Sequence, residues 1–255
     1  MGEQGARKTS FGKVKTAEDL IAALNEYART NDVTVLGRFF KTGEGQYGAG
    51  DVFIGVRVPD TRKVCKAFAE LSLGEIEKLL ASAIHEHRLA AVILLGNKYK
   101  KASTTERKEI YDAYLAAVYA GQINNWDIVD TSAEFIVGEY LADKPRGLLF
   151  ELAASPDVWQ RRVAVLSSFA FIKKGDASTT LKLAGLLLHD DHDLIQKAVG
   201  WMLREIGKRC DRLLLLKFLD AYAAEMPRTM LRYSIEHLAP AQKKAYMDAA
   251  KKVGR

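Results

Sequence analysis

Cysteine is nearly absent. Only Cys65 and Cys210 occur among 255 residues, far apart and each inside a helix-like stretch. This excludes a disulfide-stapled scaffold and, with no suitable Cys/His spacing, a zinc module. Both absences fit a reducing, cytoplasmic setting. Long apolar runs are missing too. No segment reaches the ~18 consecutive apolar residues of a membrane span, and residues 1–10 carry Gly and charge where a signal peptide would have its apolar core. No membrane association is expected. Proline is scarce, and all five, Pro59, Pro145, Pro156, Pro227 and Pro240, fall where a helix would begin. No Pro- or Ser-rich linker divides the chain, and no stretch alternates in the manner of a strand.

What remains is helical pattern, almost throughout. After a disordered tail over residues 1–15, Thr16 caps a first helix with Glu18 and Asp19 in its opening turn and Leu20, Ile21, Leu24 and Tyr27 as its apolar stripe. Helices over residues 33–41 and 59–70 follow, then one opened by the capping-box pattern Ser72-Leu73-Gly74-Glu75. Further helices are read over 83–101, from Thr105, over 125–141, from near Pro145, and over 156–173, 178–188, 193–208, 211–224, 227–237 and 240–251. Short turns join them, predicting one all-α domain over residues 16–255 with about fourteen helices. Helices that look matched recur every ~36 to 40 residues, the length of a two-helix unit. That spacing favours a curved, HEAT-like helical-repeat solenoid over an irregular bundle.

Two local features resist functional readings. Residues 43–50 contain the literal pattern G-x-G-x-x-G, but a dinucleotide site needs a strand before it and a helix directly after it. Here a helix precedes and the extended-looking Val52-Phe53-Ile54-Gly55-Val56 follows, so the run reads as a flexible glycine loop. His85 and His87 are two apart, which splays them to different sides of a helix and removes the i, i+4 metal geometry. Both read as solvent-facing.

A net charge of +6 favours a polyanionic partner. The stretch that concentrates chemistry is Asn125-Trp126-Asp127-Ile128-Val129-Asp130, where Trp126 and Asp130 share one helix face a turn apart. Arg162 follows in a second helix as a possible partner of Asp130. In a third, Lys197, Trp201 and Arg204 stand at i, i+4 and i+7, two cations with an indole between them, a pattern suited to phosphate and sugar contact. Trp159, at the start of an apolar helix, is assigned to the core.

In these segments, and in Phe53-Ile54-Gly55-Val56-Arg57-Val58-Pro59, the chain resembles the HEAT-like-repeat DNA alkylation repair family, which includes alkylpurine DNA glycosylases of the AlkD type. The resemblance implies a monofunctional glycosylase that removes cationic N3- or N7-alkylated purines from double-stranded DNA, acting as a monomer without metal or organic cofactor. It implies that Trp126 and Trp201 flank the deoxyribose, that Asp130 is the catalytic carboxylate, and that Arg162 contacts DNA; Lys197 and Arg204 follow more weakly, from their place in the matching helix. One departure stands out. Where better-known members carry a tyrosine in the second helix, this chain has Phe39, so any contact needing a hydroxyl there is missing. The alternative is a non-catalytic helical-repeat module that binds damaged or branched DNA.

Overall fold

The computed structural model describes residues 15–253, with side chains described to residue 249. The tail expected over residues 1–15 lies, apart from Lys15, outside the described residues. Among the described residues the α-helices are α1 (Ala17–Asn25), α2 (Thr30–Phe39), α3 (Val58–Ala67), α4 (Leu73–Leu80), α5 (His85–Lys101), α6 (Thr104–Tyr119), α7 (Trp126–Ala133) and α8 (Gly147–Ala153). They continue as α9 (Val158–Ser167), α10 (Phe169–Lys173), α11 (Ser178–Leu186), α12 (Asp193–Arg209), α13 (Arg212–Tyr222), α14 (Arg228–Ser234) and α15 (Pro240–Val253). A π-helical turn, Glu134–Gly138, prolongs α7, and only Ser168 separates α9 from α10. The extended stretch after the glycine run forms no strand: an isolated bridge joins Val52 to Ile84.

Helix starts follow the marked side chains. Thr16 and Ser103 form capping boxes with Asp19 and Glu106, and Ser72 accepts from the Glu75 N–H. Ser103 displaces the expected Thr105 because the Glu106 carboxylate reaches back to its N–H at 2.8 Å, satisfying two orphan donors at once.

The helices stack in two rows. α3, α5, α7, α9, α12 and α14 pack each on the next, while α4, α6, α8, α11 and α13 lie against them as a second row. One apolar core runs from Ala17 to Leu238 and includes Trp159, as expected. The starts of α7, α9, α12 and α14 follow at intervals of 32, 35 and 35 residues. These are shorter than the spacing read from Trp126 to Arg162 and Trp201, because Trp126 opens its helix whereas the other two lie a turn or more inside theirs. α12 and α14 touch backbone to backbone at Gly200, where a Cβ would fall 2.5 Å from the Met230 carbonyl oxygen and 2.6 Å from the Tyr233 Cβ.

The first turn of α5 organises the irregular chain ahead of it. Every residue of α5 from His85 to Gly96 is covered by its neighbours, so His85 and His87 are both buried, against the expectation that they face solvent. A two-residue offset exposes one side only when the helix has an open side. His87 Nδ1 pairs with the Ser82 hydroxyl at 2.8 Å. The buried Glu86 carboxylate accepts the N–H groups of Ile54 (3.1 Å), Gly55 (2.8 Å) and Val56 (3.1 Å), standing in for the ladder that this extended segment lacks. Glu86→Ala would orphan three donors, and the expected loss in urea-measured unfolding free energy is about 3 kcal/mol. A loss under about 1 kcal/mol would show that these donors find other partners.

Candidate functional site

A cavity of about 340 Å³ opens between α2, the 43–50 loop, α7, α9, α12 and α14. It is lined by Phe39, Trp126, Asp130, Arg162, Lys197 and Trp201, six of the seven residues selected from sequence. Arg204 does not join them. One turn beyond Trp201, its guanidinium is taken by Glu205 at 3.2 Å and by Glu236, and it borders a different cleft. Helical spacing placed it on the same face, but the acid from the segment after α14 draws the long side chain away.

Asp130 and Arg162 form the floor. Arg162 Nε donates to Asp130 Oδ1 at 2.8 Å and Nη2 to Oδ2 at 2.7 Å, a bidentate grip, while Nη1 donates to the Leu194 carbonyl at 2.6 Å. Only 5% of Arg162 is exposed. Three of its donors thus bind α7 to α12 through α9 and hold the Asp130 carboxylate in one plane. About 23% of the Asp130 side chain remains exposed, shared between this cavity and a second cleft beside Arg62 and Phe135. Burial pushes its carboxyl above the ordinary value of 3.8, against the opposing pull of the Arg162 hydrogen bonds and charge. Each oxygen keeps a lone pair for a ligand or a water.

The aromatic walls differ in how they are held. Trp126 stacks on Phe40 with centroids 5.1 Å apart, Phe40 stacks on Phe53 at 5.1 Å, and Phe53 stacks on His85 at 4.4 Å. Phe39, 60% exposed, meets the Trp126 ring edge-on at 5.6 Å. Opposite, Trp201 leans on Phe169 at 5.9 Å. Lys197 pairs with Asp193 one turn earlier at 2.6 Å; that hydrogen bond, then the Asp193 charge and the nearby Tyr233 and Tyr47, raise its pKa.

Behind Trp126 lies a buried ionic cluster that sequence reasoning missed. His85 donates through Nδ1 to Asp51 at 3.1 Å and through Nε2 to Asp127 at 2.9 Å, with 1% of its surface exposed. Burial disfavours the charged ring, but hydrogen bonds to Asp127 and Asp51 outweigh it and hold the His85 pKa at about 9. Asp51 also receives Arg88, Asn124 (3.1 Å) and Asn125 (2.9 Å). Burial opposes the Asp51 charge as well, yet the bonds from His85 and Asn125 and the Arg88 charge hold its pKa below 3.8. Asn125, at φ +89°, accepts the Trp126 N–H at 3.0 Å through its side chain, so the strained residue that opens α7 is fixed from both ends. The glycine run read as flexible is thus pinned at Asp51, and Tyr47 within it enters the cavity, as does Tyr233 of α14. A lone acid after a glycine run was the one available signal. Among the described residues, no group of three or more His, Cys, Asp or Glu is arranged to hold a metal ion, and no helix is long and apolar enough to cross a membrane.

Stacked helical rows with a carboxylate held between indoles place the chain in a recognisable class. It is similar to a solved chain described as a predicted DNA alkylation repair enzyme from Enterococcus faecalis, with TM-score 0.63 and 18% identity, covering 84% of this chain and 97% of that one. That likeness establishes the helical-repeat fold. The model of the family described as DNA alkylation repair enzyme matches residues 20–238, and the chain belongs to that family. Membership implies DNA binding. No curated protein matches the chain.

The cluster predicts a pH dependence of stability. The His85 value rises from 6.5 to about 9 on folding, so its stabilisation is complete below pH 6.5 and is lost as pH rises through about 9. That loss is about 3 kcal/mol. Urea unfolding between pH 6.5 and 9.5 should show it for the wild type and not for His85→Gln; parallel slopes in the two proteins would deny His85 its charge.

Proposed function

We propose that the protein is a monofunctional DNA glycosylase that hydrolyses the N-glycosidic bond of cationic N3- or N7-alkylated purines in duplex DNA gripped by its HEAT-like rows. The observation that carries this reading is Asp130, a partly open carboxylate held bidentate by Arg162 between Trp126 and Trp201. An alkylated purine already bears positive charge. When its bond to C1′ breaks, the electron pair neutralises the base, which leaves without protonation, and the positive charge moves to the sugar. Asp130 stabilises that oxocarbenium-like sugar and accepts a hydrogen bond from the water that attacks C1′, whose released proton passes to the carboxylate and on to solvent. Indole faces on either side attract the same charge, by about 0.5–2 kcal/mol each.

Arg162 acts through Asp130. Its fork fixes the carboxylate plane and favours the ionised form against burial. Lys197 has a raised pKa, the reverse of what a Schiff-base amine needs, which supports simple hydrolysis without a covalent lysine adduct. No step calls for a metal or an organic cofactor. Phe39 closes the mouth beside Trp126 with an apolar edge.

Purified protein should release 3-methyladenine or 7-methylguanine from methylated duplex DNA, and Asp130→Asn should slow release by about 10²–10³-fold while duplex binding persists. Because the ionised carboxylate acts and its pKa is raised, release should fall as pH drops through a value above 3.8. Binding with no release of either base would leave the non-catalytic DNA-binding reading in its place.

A further inference from the structure

Two tyrosines in the cavity have no part in the chemistry above. Tyr47 and Tyr233 both line it, beside Lys197. Two phenols elsewhere are satisfied internally, Tyr114 by Ser132 at 2.8 Å and Tyr246 by Asp220 at 2.7 Å. Neither Tyr47 nor Tyr233 makes a hydrogen bond to any described residue.

The Tyr47 ring is nevertheless held, and Tyr233 is fixed at its Cβ. Tyr47 sets its edge against Trp159, 6.0 Å away, and against His192, 6.4 Å away. Its loop is strapped by the Gly48 N–H to the Lys41 carbonyl at 3.0 Å, at a point so tight that a Cβ on Gly48 would fall 2.3 Å from the Phe40 carbonyl oxygen. Three residues on, Asp51 enters the His85 cluster. Tyr233 stands at the Gly200 crossing, where its own Cβ is part of the backbone-to-backbone contact. Two oriented donors without partners, next to an ammonium, are preorganised for an anion with several acceptor oxygens. Lys197 is free to turn to it, because its partner Asp193 is itself largely exposed and can return to solvent.

We propose that Tyr47, Tyr233 and Lys197 form a phosphodiester clasp, in which two phenol hydroxyls and one ammonium hold the non-bridging oxygens of a backbone phosphate flanking the nucleotide whose sugar lies over Asp130. The proposal rests on the functional reading above and names how the reacting strand is registered. Its donors come from the glycine loop, α12 and α14, so hydroxyl contacts missing from the second helix are supplied from other segments of the cavity lining. Asp193 is the acid that holds Lys197, and it yields the ammonium to the phosphate.

The test uses the full chain and a duplex carrying a tetrahydrofuran abasic analogue, with each nearby phosphate replaced in turn by a neutral methylphosphonate. One flanking linkage should weaken wild-type binding about tenfold when neutralised. Tyr47→Phe with Tyr233→Phe and Lys197→Ala should weaken binding of the unmodified duplex at least as much and erase the effect at that linkage alone, with an unchanged circular dichroism spectrum; Tyr47→Phe alone should erase part of it. Wild-type affinity in the triple variant, or a methylphosphonate effect that persists at full size in it, overturns the clasp. Base release is measured in parallel: clasp-dependent binding with no release refutes the glycosylase reading alone, and release with a persisting phosphate effect refutes the clasp alone.

Discussion

A buried imidazolium between two carboxylates is the constraint on which the cavity depends. His85 is charged at neutral pH because Asp51 and Asp127 flank it, and three such charges are tolerated inside a protein only when each is fully paired. The pairing is long-range. It brings together α5, the end of the glycine loop and the first turn of α7. The same histidine ends the aromatic stack that carries Trp126, so one group sets both the backbone and the ring of that residue. The geometry of the indole wall thus follows from electrostatics two layers beneath it.

The pair at the floor obeys a different balance. Asp130 and Arg162 sit where a bidentate ion pair returns little net stability, since desolvation of both charges offsets most of their attraction. An apolar pair of the same volume would serve the fold as well. What the ion pair adds is an oriented carboxylate with unshared lone pairs facing the cavity, and Arg162 extends that orientation to α12 through the Leu194 carbonyl. Stability is secured elsewhere, in the core that runs between the two rows. The site can therefore keep an arrangement chosen for chemistry.

Local pattern made much of this legible. Caps at Thr16 and Ser72, prolines near helix starts, and the i, i+4 relation of Trp126 and Asp130 all depend on neighbours within a turn or two, and the structure follows them. The misses share a cause. His85 and His87 face inward because α5 is covered by helices that the local pattern does not contain, and Asp51 finds its partners 34 to 74 residues away. Arg204 has the right phase on α12, but Glu236, 32 residues on, decides where its guanidinium goes. Charges on long or buried side chains are settled by tertiary partners, and helical periodicity carries no information about those.

The contrast between the two sides of the cavity accounts for the chemistry of each. α2 buries none of its residues and is tethered by the exposed pairs Arg29–Asp60 at 3.0 Å and Arg57–Asp32 at 2.8 Å, contacts of a kind that salt weakens. Position 39 is exposed, just ahead of the buried Phe40 that anchors the end of α2, and a hydrogen bond is only as directional as the frame that carries it. An apolar edge has no such requirement: Phe39 covers the rim of Trp126 whether or not α2 shifts slightly. Tyr47 projects from a loop fastened at Gly48 to the Phe40 and Lys41 carbonyls just beyond the end of α2, and Tyr233 from the close crossing at Gly200. On the reading proposed above, polar contact comes from the glycine loop and α14 and apolar contact from Phe39, a division of roles set by side-chain type around one cavity.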